Sequence, residues 1–95
     1  MDEYIRNLIL KNKVCGLKQV IRGIQAKQIN CVLIARNSDI EIKNQIVDLC
    51  SLHSIKIFYC EAREELGKEL GLQVGCSVVG FFDSHSQSLE KRKPT

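Results

Sequence analysis

The chain has 95 residues, enough for one small domain with a modest core and too few for two. Its residues are 44% hydrophobic and 26% charged, as in soluble globular proteins, and no apolar run approaches the roughly 20 residues that span a bilayer. The N-terminus lacks the basic and apolar segments of a signal peptide. We therefore expect a cytoplasmic protein without a membrane partner.

The net charge of +3 is too small to indicate nucleic-acid binding by itself, but it is unevenly distributed. Residues 1–36 carry seven Lys and Arg against two acidic residues, a net charge of +5. Residues 37–82 carry four against seven, a net charge of −3. The positive potential therefore belongs to the first part of the chain.

The cysteine pattern supports neither a disulfide framework nor a zinc site. There are five cysteines, an odd number, and none forms a CxxC pair: Cys15, Cys31, Cys50, Cys60 and Cys76. We expect buried, reduced thiols that act as small hydrophobic side chains. No metal and no cofactor is predicted.

Helical and extended patterns alternate along the chain. An amphipathic helix is predicted over residues 1–10, followed by a short extended segment around Val14 and a glycine turn. A second helix begins at Leu17, because apolar residues then recur at three- and four-residue intervals. The continuous apolar run 31–35 predicts a strand that is covered on both faces.

The alternation continues through the second half. The serine and glutamate of segment 38–41 form a capping-box pattern, which predicts a third helix with Ser38 as its N-cap. Three further elements follow in the order strand, helix, strand, over residues 55–60, 62–70 and 76–82. Gly71 is placed to end the fourth helix.

This alternation predicts an α/β fold, a three-layer α/β/α sandwich with helices on both faces of a four-stranded sheet. The pattern does not determine the strand order. The domain is predicted to span residues 1–82. Residues 83–95 are polar and have little to bury, so we expect a disordered tail.

Enzymatic patterns are weak. The Gly67-Lys68 pair lacks the preceding glycines and the following Ser or Thr of a phosphate-binding loop. The two histidines are His53, on the apolar side of a predicted helix near its end, and His85, in the predicted tail. We expect His53 to be structural, and no nucleophile and base stand in a recognisable pair. The sequence disfavours an enzyme.

The start of the second helix is the candidate binding site. Lys18, Gln19 and Arg22 lie opposite its apolar face, near the helix N-terminus, where free N–H groups favour an anion. Solvated side chains on an exposed helix face are the alternative interpretation. Two further features favour binding, the glycine turn before the cluster and the unusually apolar loop 72–76. Apolar loops can pack on an unstacked base, which is one way in which proteins recognise irregular RNA.

Three blocks of sequence resemble the kink-turn RNA-binding ribosomal-protein superfamily, which includes the proteins L7Ae, L30e and S12e. They are GLKQVIR (16–22), VLIA (32–35) with Asp39 after it, and ELGKELGLQV (65–74). Their order and spacing match over about residues 4–82, and Lys18-Gln19 is similar to the small bacterial branch. The resemblance implies a mixed sheet and binding to kink-turns. These are sharply bent duplexes in which an internal loop adjoins tandem sheared G·A pairs.

The resemblance also implies a set of RNA-binding residues. They are Gly16, Leu17, Lys18, Gln19, Arg22, Arg36, Asp39, Arg63, Val74, Gly75 and Cys76. Gly16 would permit close backbone approach, Lys18 and Gln19 would meet guanine edges, and Arg22 would meet a phosphate. Arg36, Asp39 and Arg63 would flank the site, and Arg63 would contact the RNA backbone or the flipped-out loop nucleotide. The loop 74–76 would pack against a flipped-out nucleotide.

Three positions depart from the family pattern. Many archaeal and eukaryotic members have Asn-Glu where this chain has Lys18-Gln19, although lysine can still donate to guanine O6 and N7. Arg36 stands where an acidic residue is frequent, and Cys76 stands where a small residue is usual. None of these residues forbids RNA binding.

The sequence therefore predicts a monomeric protein that stabilises kink-turns in ribosomal or other structured non-coding RNA, with no DNA partner. A stoichiometric ribosomal subunit is one alternative, and it would co-sediment with ribosomes through a high-salt wash. A protein-interaction module of the same fold without RNA binding is another. In such a module the side chains at 18, 19 and 22 would be dispensable.

Overall fold

The computed structural model describes residues 3–82, in which helices and strands alternate as predicted. The elements are α1 Glu3–Ile9, β1 Lys13–Cys15, α2 Leu17–Gln25, β2 Ile29–Ala35, α3 Ile40–His53, β3 Lys56–Cys60, α4 Arg63–Glu69 and β4 Val78–Phe82. The predicted tail, 83–95, lies outside the described residues. Within residues 3–82, none of the helices has the length and apolar character that a membrane span requires.

The four strands form one mixed sheet in the order β1-β4-β2-β3. β2 and β3 are parallel, whereas β4 runs antiparallel to both β1 and β2. Leu33, in the middle of β2, lies opposite Phe58 on one side and Val79 on the other. The mixed sheet that the family resemblance implies is confirmed.

Each face of the sheet is covered by a pair of helices, which confirms the three-layer sandwich. The core between the sheet and α2 with α3 consists of Val20, Ile24, Ile29, Val32, Ile34, Ile46, Cys50 and Val78. The core between the sheet and α1 with α4 consists of Ile5, Leu8, Ile9, Cys31, Leu33, Ala35, Cys60, Leu66, Cys76, Val79 and Phe81. The apolar run 31–35 alternates between the two cores, as expected of a strand buried on both faces.

β2 begins two residues earlier than predicted, because a bulge at Asn30 separates its first residue from the apolar run. The bulge turns Ile29 to the same face as Val32. There the Ile29 side chain packs against Gly23 of α2 and Gly80 of β4, and a Cβ at either glycine would collide with Ile29 Cδ1. This contact explains why Gly23 is retained inside α2, although glycine in a helix lowers stability by about 1 kcal/mol relative to alanine.

The start of α3 corrects the predicted capping box. Asp39, rather than Ser38, is the N-cap of α3. Ser38 is buried, and its hydroxyl donates instead to the carbonyl oxygen of Ser77 at 3.3 Å. The end of α4 is as predicted. Gly71 has a φ of +77°, and the N–H of Leu72 donates to the Gly67 carbonyl, as in a Schellman motif.

The cysteines are free thiols, and four of the five are buried; Cys15 is half-buried. Burial raises the pKa of Cys50 to about 11. Burial, with the neighbouring Cys15 thiol, raises the pKa of Cys76 to about 11 as well. The prediction of buried hydrophobic thiols is confirmed for Cys31, Cys50, Cys60 and Cys76.

Candidate nucleic-acid interface

All the predicted site residues lie at one end of the sheet. β2 and β3 are parallel, so they end together, at Ala35 and Cys60. β4 runs the opposite way and begins at that end, at Val78, and β1 ends there at Cys15. The segments that leave or enter this end contain every predicted residue, namely 16–22, 36–39, Arg63 and 74–76.

The glycine turn is fixed by the backbone of β4. Gly16 has φ +101° and ψ 153°, a conformation that is essentially restricted to glycine. Its N–H donates to the Val78 carbonyl at 3.1 Å, and its own carbonyl accepts the first helical hydrogen bond, from Val20, at 3.0 Å. A Cβ at position 16 would lie 3.0 Å from Oε1 of Gln19, which folds back over the turn. The backbone conformation therefore requires glycine at this position.

The first turns of α2 present a basic surface. Lys18, Gln19 and Arg22 are exposed, whereas Leu17 is half-buried and packs on the core. Lys18, Arg22 and Gln25 line a shallow hollow of about 240 Å³. The first turn contains no acidic residue, and among residues 3–82 no carboxylate pairs with Lys18 or Arg22. We call Gly16, Lys18, Gln19 and Arg22 the turn side of the surface.

Backbone hydrogen bonds join this turn to the other segments. The Ser77 carbonyl accepts from the Ala35 N–H at 2.9 Å as well as from the Ser38 hydroxyl. The adjacent Val78 carbonyl accepts from Gly16 and, at 3.4 Å, from the Cys76 thiol. The start of β4 therefore holds the glycine turn and the β2–α3 turn in fixed relative positions.

An asparagine that the sequence reasoning missed connects the β2–α3 turn to α4. The Asn37 Oδ1 accepts from the Arg63 N–H at 2.8 Å, and its Nδ2 donates to Glu64 Oε1 at 3.0 Å. The Asn37 hydrogen bond is the main reason that the pKa of Glu64 is lowered. Asn37 thus serves as an N-terminal cap for a helix that has no cap of its own at Ala62.

The apolar loop 72–76 packs on α4 through two glycines. A Cβ at Gly67 would collide with the Val74 carbonyl, and one at Gly75 would lie 3.2 Å from Cγ of Arg63. The Cys76 N–H donates to the Arg63 carbonyl at 2.9 Å. Cys76 itself is buried, whereas Val74 is 73% exposed. The apolar surface that the loop offers is therefore Val74, with Leu72 beside it, and Cys76 supports the loop from inside.

The arginines of this region have acidic neighbours. Arg63 Nε lies 3.5 Å from Glu64 Oε2, and Arg36 Nε lies 3.7 Å from Glu61 Oε2. We call Arg36, Asn37, Arg63 and the loop 72–76 the loop side of the surface. Asp39 is exposed at the start of α3, next to this region.

The predicted residues thus lie at one end of the sheet, but they differ in their exposure to solvent. Lys18, Gln19, Arg22, Arg36, Asp39, Arg63, Val74 and Gly75 are exposed, Gly16 and Leu17 are half-buried, and Cys76 is buried. No group of His, Cys, Asp or Glu side chains within residues 3–82 is suited to hold a metal ion. Nothing in the sequence specifically indicated the role of Asn37, because asparagine is common in turns of many kinds.

A small α/β/α sandwich with a basic helix start and an exposed apolar loop at one end of its sheet is a candidate nucleic-acid-binding domain. The chain belongs to the ribosomal protein L7Ae/L30e/S12e/Gadd45 family, whose model matches residues 4–90. The family resemblance of the three sequence blocks is therefore confirmed.

The relatives of this chain include both sequences and solved structures. It is 29% identical over 68 residues to RNA-binding protein BH0128 of Halalkalibacterium halodurans, covering 72% of this chain and 83% of that protein. A protein of unknown function from Bacillus halodurans C has a TM-score of 0.80 at 23% identity, with 96% of both chains covered. The Giardia lamblia 15.5kD RNA binding protein has a TM-score of 0.76 at 18% identity, covering 87% of this chain and 78% of that one. These structural matches confirm the fold.

Proposed function

We propose that this protein binds RNA, recognises kink-turns and stabilises their bent form. The observation that carries the proposal is the meeting of two unlike surfaces at one end of the sheet. The turn side offers uncompensated positive charge on a helix start, and the loop side offers an exposed apolar loop. A kink-turn presents complementary features, since it has an opened groove next to an unstacked nucleotide.

The turn side would enter the groove at the G·A pairs. An A-form major groove is normally too narrow for side chains, and a kink widens it. Lys18 can donate to guanine O6 and N7, and the Gln19 amide can both donate and accept at a base edge. Arg22 lies one helical turn further on and would meet a phosphate. Gly16 permits the close backbone approach because it has no side chain.

The loop side would hold the unstacked nucleotide. Val74 offers an apolar contact to a base, and the backbone hydrogen bond from Cys76 to Arg63 fixes the loop against α4. Arg63 lies beside this loop and is half-exposed, so its guanidinium can reach the nucleotide or its phosphate. Because the loop is held by backbone contacts, little ordering would be needed on binding.

Stabilisation of the bend requires no catalysis. Bound protein shifts an RNA from extended to kinked only as far as it prefers the kinked form. The family membership and the relative named as an RNA-binding protein support this proposal. A monomer in the cytoplasm would suffice for such an activity.

The test is a calorimetric titration of a generic kink-turn RNA beside the same RNA with its G·A pairs replaced by Watson–Crick pairs. We expect tight binding to the first RNA and at least tenfold weaker binding, about 1.4 kcal/mol, to the second. Weak and equal binding to both RNAs would contradict the proposal. That result would favour a protein-interaction module of the same fold.

A further inference from the structure

Two hydrogen bonds hold the backbone of Arg36 in the turn after β2, on the loop side. Its backbone N–H donates to the Cys60 carbonyl at 2.8 Å. Its carbonyl accepts a hydrogen bond from Lys43 Nζ, on α3, at 2.7 Å. The backbone of this arginine is thus fixed between the end of β3 and the first turns of α3.

The side chain of Arg36 lies over an aromatic ring. Its Cζ lies 5.0 Å from the centre of the Tyr59 ring, within the distance of a cation–π contact. The Arg36 side chain is 60% exposed, and Tyr59 is 38% exposed. Tyr59 lies on β3, an edge strand of the sheet formed by residues 3–82. The pair forms a partly solvent-exposed surface beside the site.

The charge of Arg36 is already partly balanced. The Glu61 carboxylate lies 3.7 Å from the Arg36 Nε, so it would compete with a phosphate for that edge of the guanidinium. The exposed parts of the guanidinium and of the ring remain available for stacking. Proteins hold unpaired RNA bases by stacking them on aromatic rings and on arginine planes. This corner therefore suits a base better than a phosphate.

We propose that Arg36 and Tyr59 form a stacking platform for an unpaired nucleobase, separate from the nucleotide that Val74 would contact. The inference rests on the proposed RNA-binding function and adds Tyr59 to its contact residues. Asn37 follows Arg36 in the chain and accepts a hydrogen bond from the Arg63 N–H, so the platform adjoins the rest of the loop side. Tyr59 extends this surface to β3, at the edge of the sheet. The bound base would lie over the arginine or against the ring.

The experiment uses the fluorescence of 2-aminopurine, which falls when this base analogue is stacked. Kink-turn RNAs carry the analogue at one unpaired position at a time, in the internal loop or in a short single-stranded extension. Wild type is compared with Tyr59→Phe, which keeps the ring, and with Tyr59→Leu, which removes it. Tyr4→Leu is the matched control, because Tyr4 is also exposed but lies on α1, where it packs against Phe58.

Arg36→Lys separates stacking from charge, since it keeps the positive charge and removes the plane. We expect one RNA position that is quenched by wild type, Tyr59→Phe and Tyr4→Leu and is not quenched by Tyr59→Leu or Arg36→Lys. The affinity for that RNA should fall roughly fivefold or more in the last two variants. Thermal melting of each variant shows that it is folded at the assay temperature.

Two results would overturn the platform while leaving the proposed function intact. In the first, G·A-dependent binding persists and no unpaired position is quenched by wild type. In the second, Tyr59→Leu matches wild type in both quenching and affinity. If wild type does not distinguish the kink-turn from its Watson–Crick control, the proposed function fails, and the platform fails with it.

Discussion

The turn side and the loop side use their charges differently. Lys18 and Arg22 have no carboxylate partner among residues 3–82, whereas Arg36 and Arg63 each have one within 4 Å. Unbalanced cations attract phosphates at long range and make binding depend on salt. Balanced arginines retain their planar shape and hydrogen-bond donors but exert less long-range attraction. Under the proposed function, the turn side would therefore supply attraction and the loop side would fit nucleotides.

The two sides are also built differently. The turn side lies on one helix, and its position follows from a single glycine turn. The loop side draws on three separate segments, which Asn37, Ser77 and the Arg63 backbone join by hydrogen bonds. Variants on the turn side should therefore change RNA affinity directly. Variants on the loop side should change both the positions of its three segments and their contacts with RNA.

Gly16→Ala should have the largest effect on RNA affinity. It disturbs the glycine turn, whose N–H shares the Val78 carbonyl with the Cys76 thiol of the loop side. Alanine would be strained by about 1–3 kcal/mol at this φ and ψ. Its Cβ would also press on Gln19. We expect kink-turn affinity to fall roughly tenfold or more, measured by titration at a temperature where the variant is folded.

The control for this variant is Gly23→Ala, whose Cβ would collide with Ile29 in the core behind the site. It should lower the free energy of unfolding but leave affinity close to that of wild type. Equal affinity losses in both variants would show that Gly16 acts only through stability.

Arg22→Ala and Lys18→Ala should separate attraction from base selection on the turn side. Arg22→Ala should weaken binding to every RNA and reduce the salt slope of log K by about 1.

Lys18→Ala should mainly reduce the preference for G·A-paired RNA, by about 1–3 kcal/mol. Lys11→Ala, an exposed lysine before β1, is the control. An equal loss for kinked and unkinked RNA in the Lys18 variant would refute its role in selection.

Val74→Ser tests the apolar contact of the loop side. Val74 is 73% exposed, so the substitution should leave the free energy of unfolding nearly unchanged. Kink-turn affinity should fall by about 1 kcal/mol, or roughly fivefold, without a change in salt slope. Leu52→Ser, at an equally exposed apolar position on α3, should have no effect. A changed salt slope in the Val74 variant would contradict the division between the two sides.

The smallest effect concerns Glu64, whose pKa is lowered chiefly by the Asn37 hydrogen bond. A carboxylate with a lowered pKa stabilises the fold above its ordinary pKa and loses that contribution as pH falls through its folded value. Glu64→Gln has no such titration. The stability of wild type relative to Glu64→Gln should therefore be constant above about pH 4.5 and decline below it, in denaturant unfolding from pH 3 to 7. A constant difference at all pH values would contradict this role.

The sequence predicted the elements well because burial dictates their patterns. The run 31–35 is apolar on both faces because helices cover both faces. The α2 face was predictable because Val20 and Ile24 recur at helical spacing, and both are buried. The start of β2 was missed because the polar Asn30 interrupts the run, and a bulge cannot be recognised from one polar residue.

The candidate site was predictable only in part. The cluster at Lys18 and Arg22 is local in sequence, so its common face follows from helical geometry. The capping prediction at Ser38 was wrong because the N-cap lies one residue later, at Asp39, and the Ser38 hydroxyl is directed to a distant carbonyl, that of Ser77. The Arg36–Tyr59 contact joins the turn after β2 to β3, and such a contact depends on strand order and register. Local patterns do not determine either.

The most direct test of the central claim is whether the protein bends the RNA. A kink-turn duplex with a fluorescent donor and acceptor on its two arms, in a buffer without divalent cations, reports the distance between the arms. Adding wild-type protein should raise energy transfer to that of the kinked form, whereas the RNA with Watson–Crick pairs in place of G·A pairs should remain extended. Tight binding without a rise in energy transfer would contradict the account, because the protein would then bind RNA without stabilising the kink.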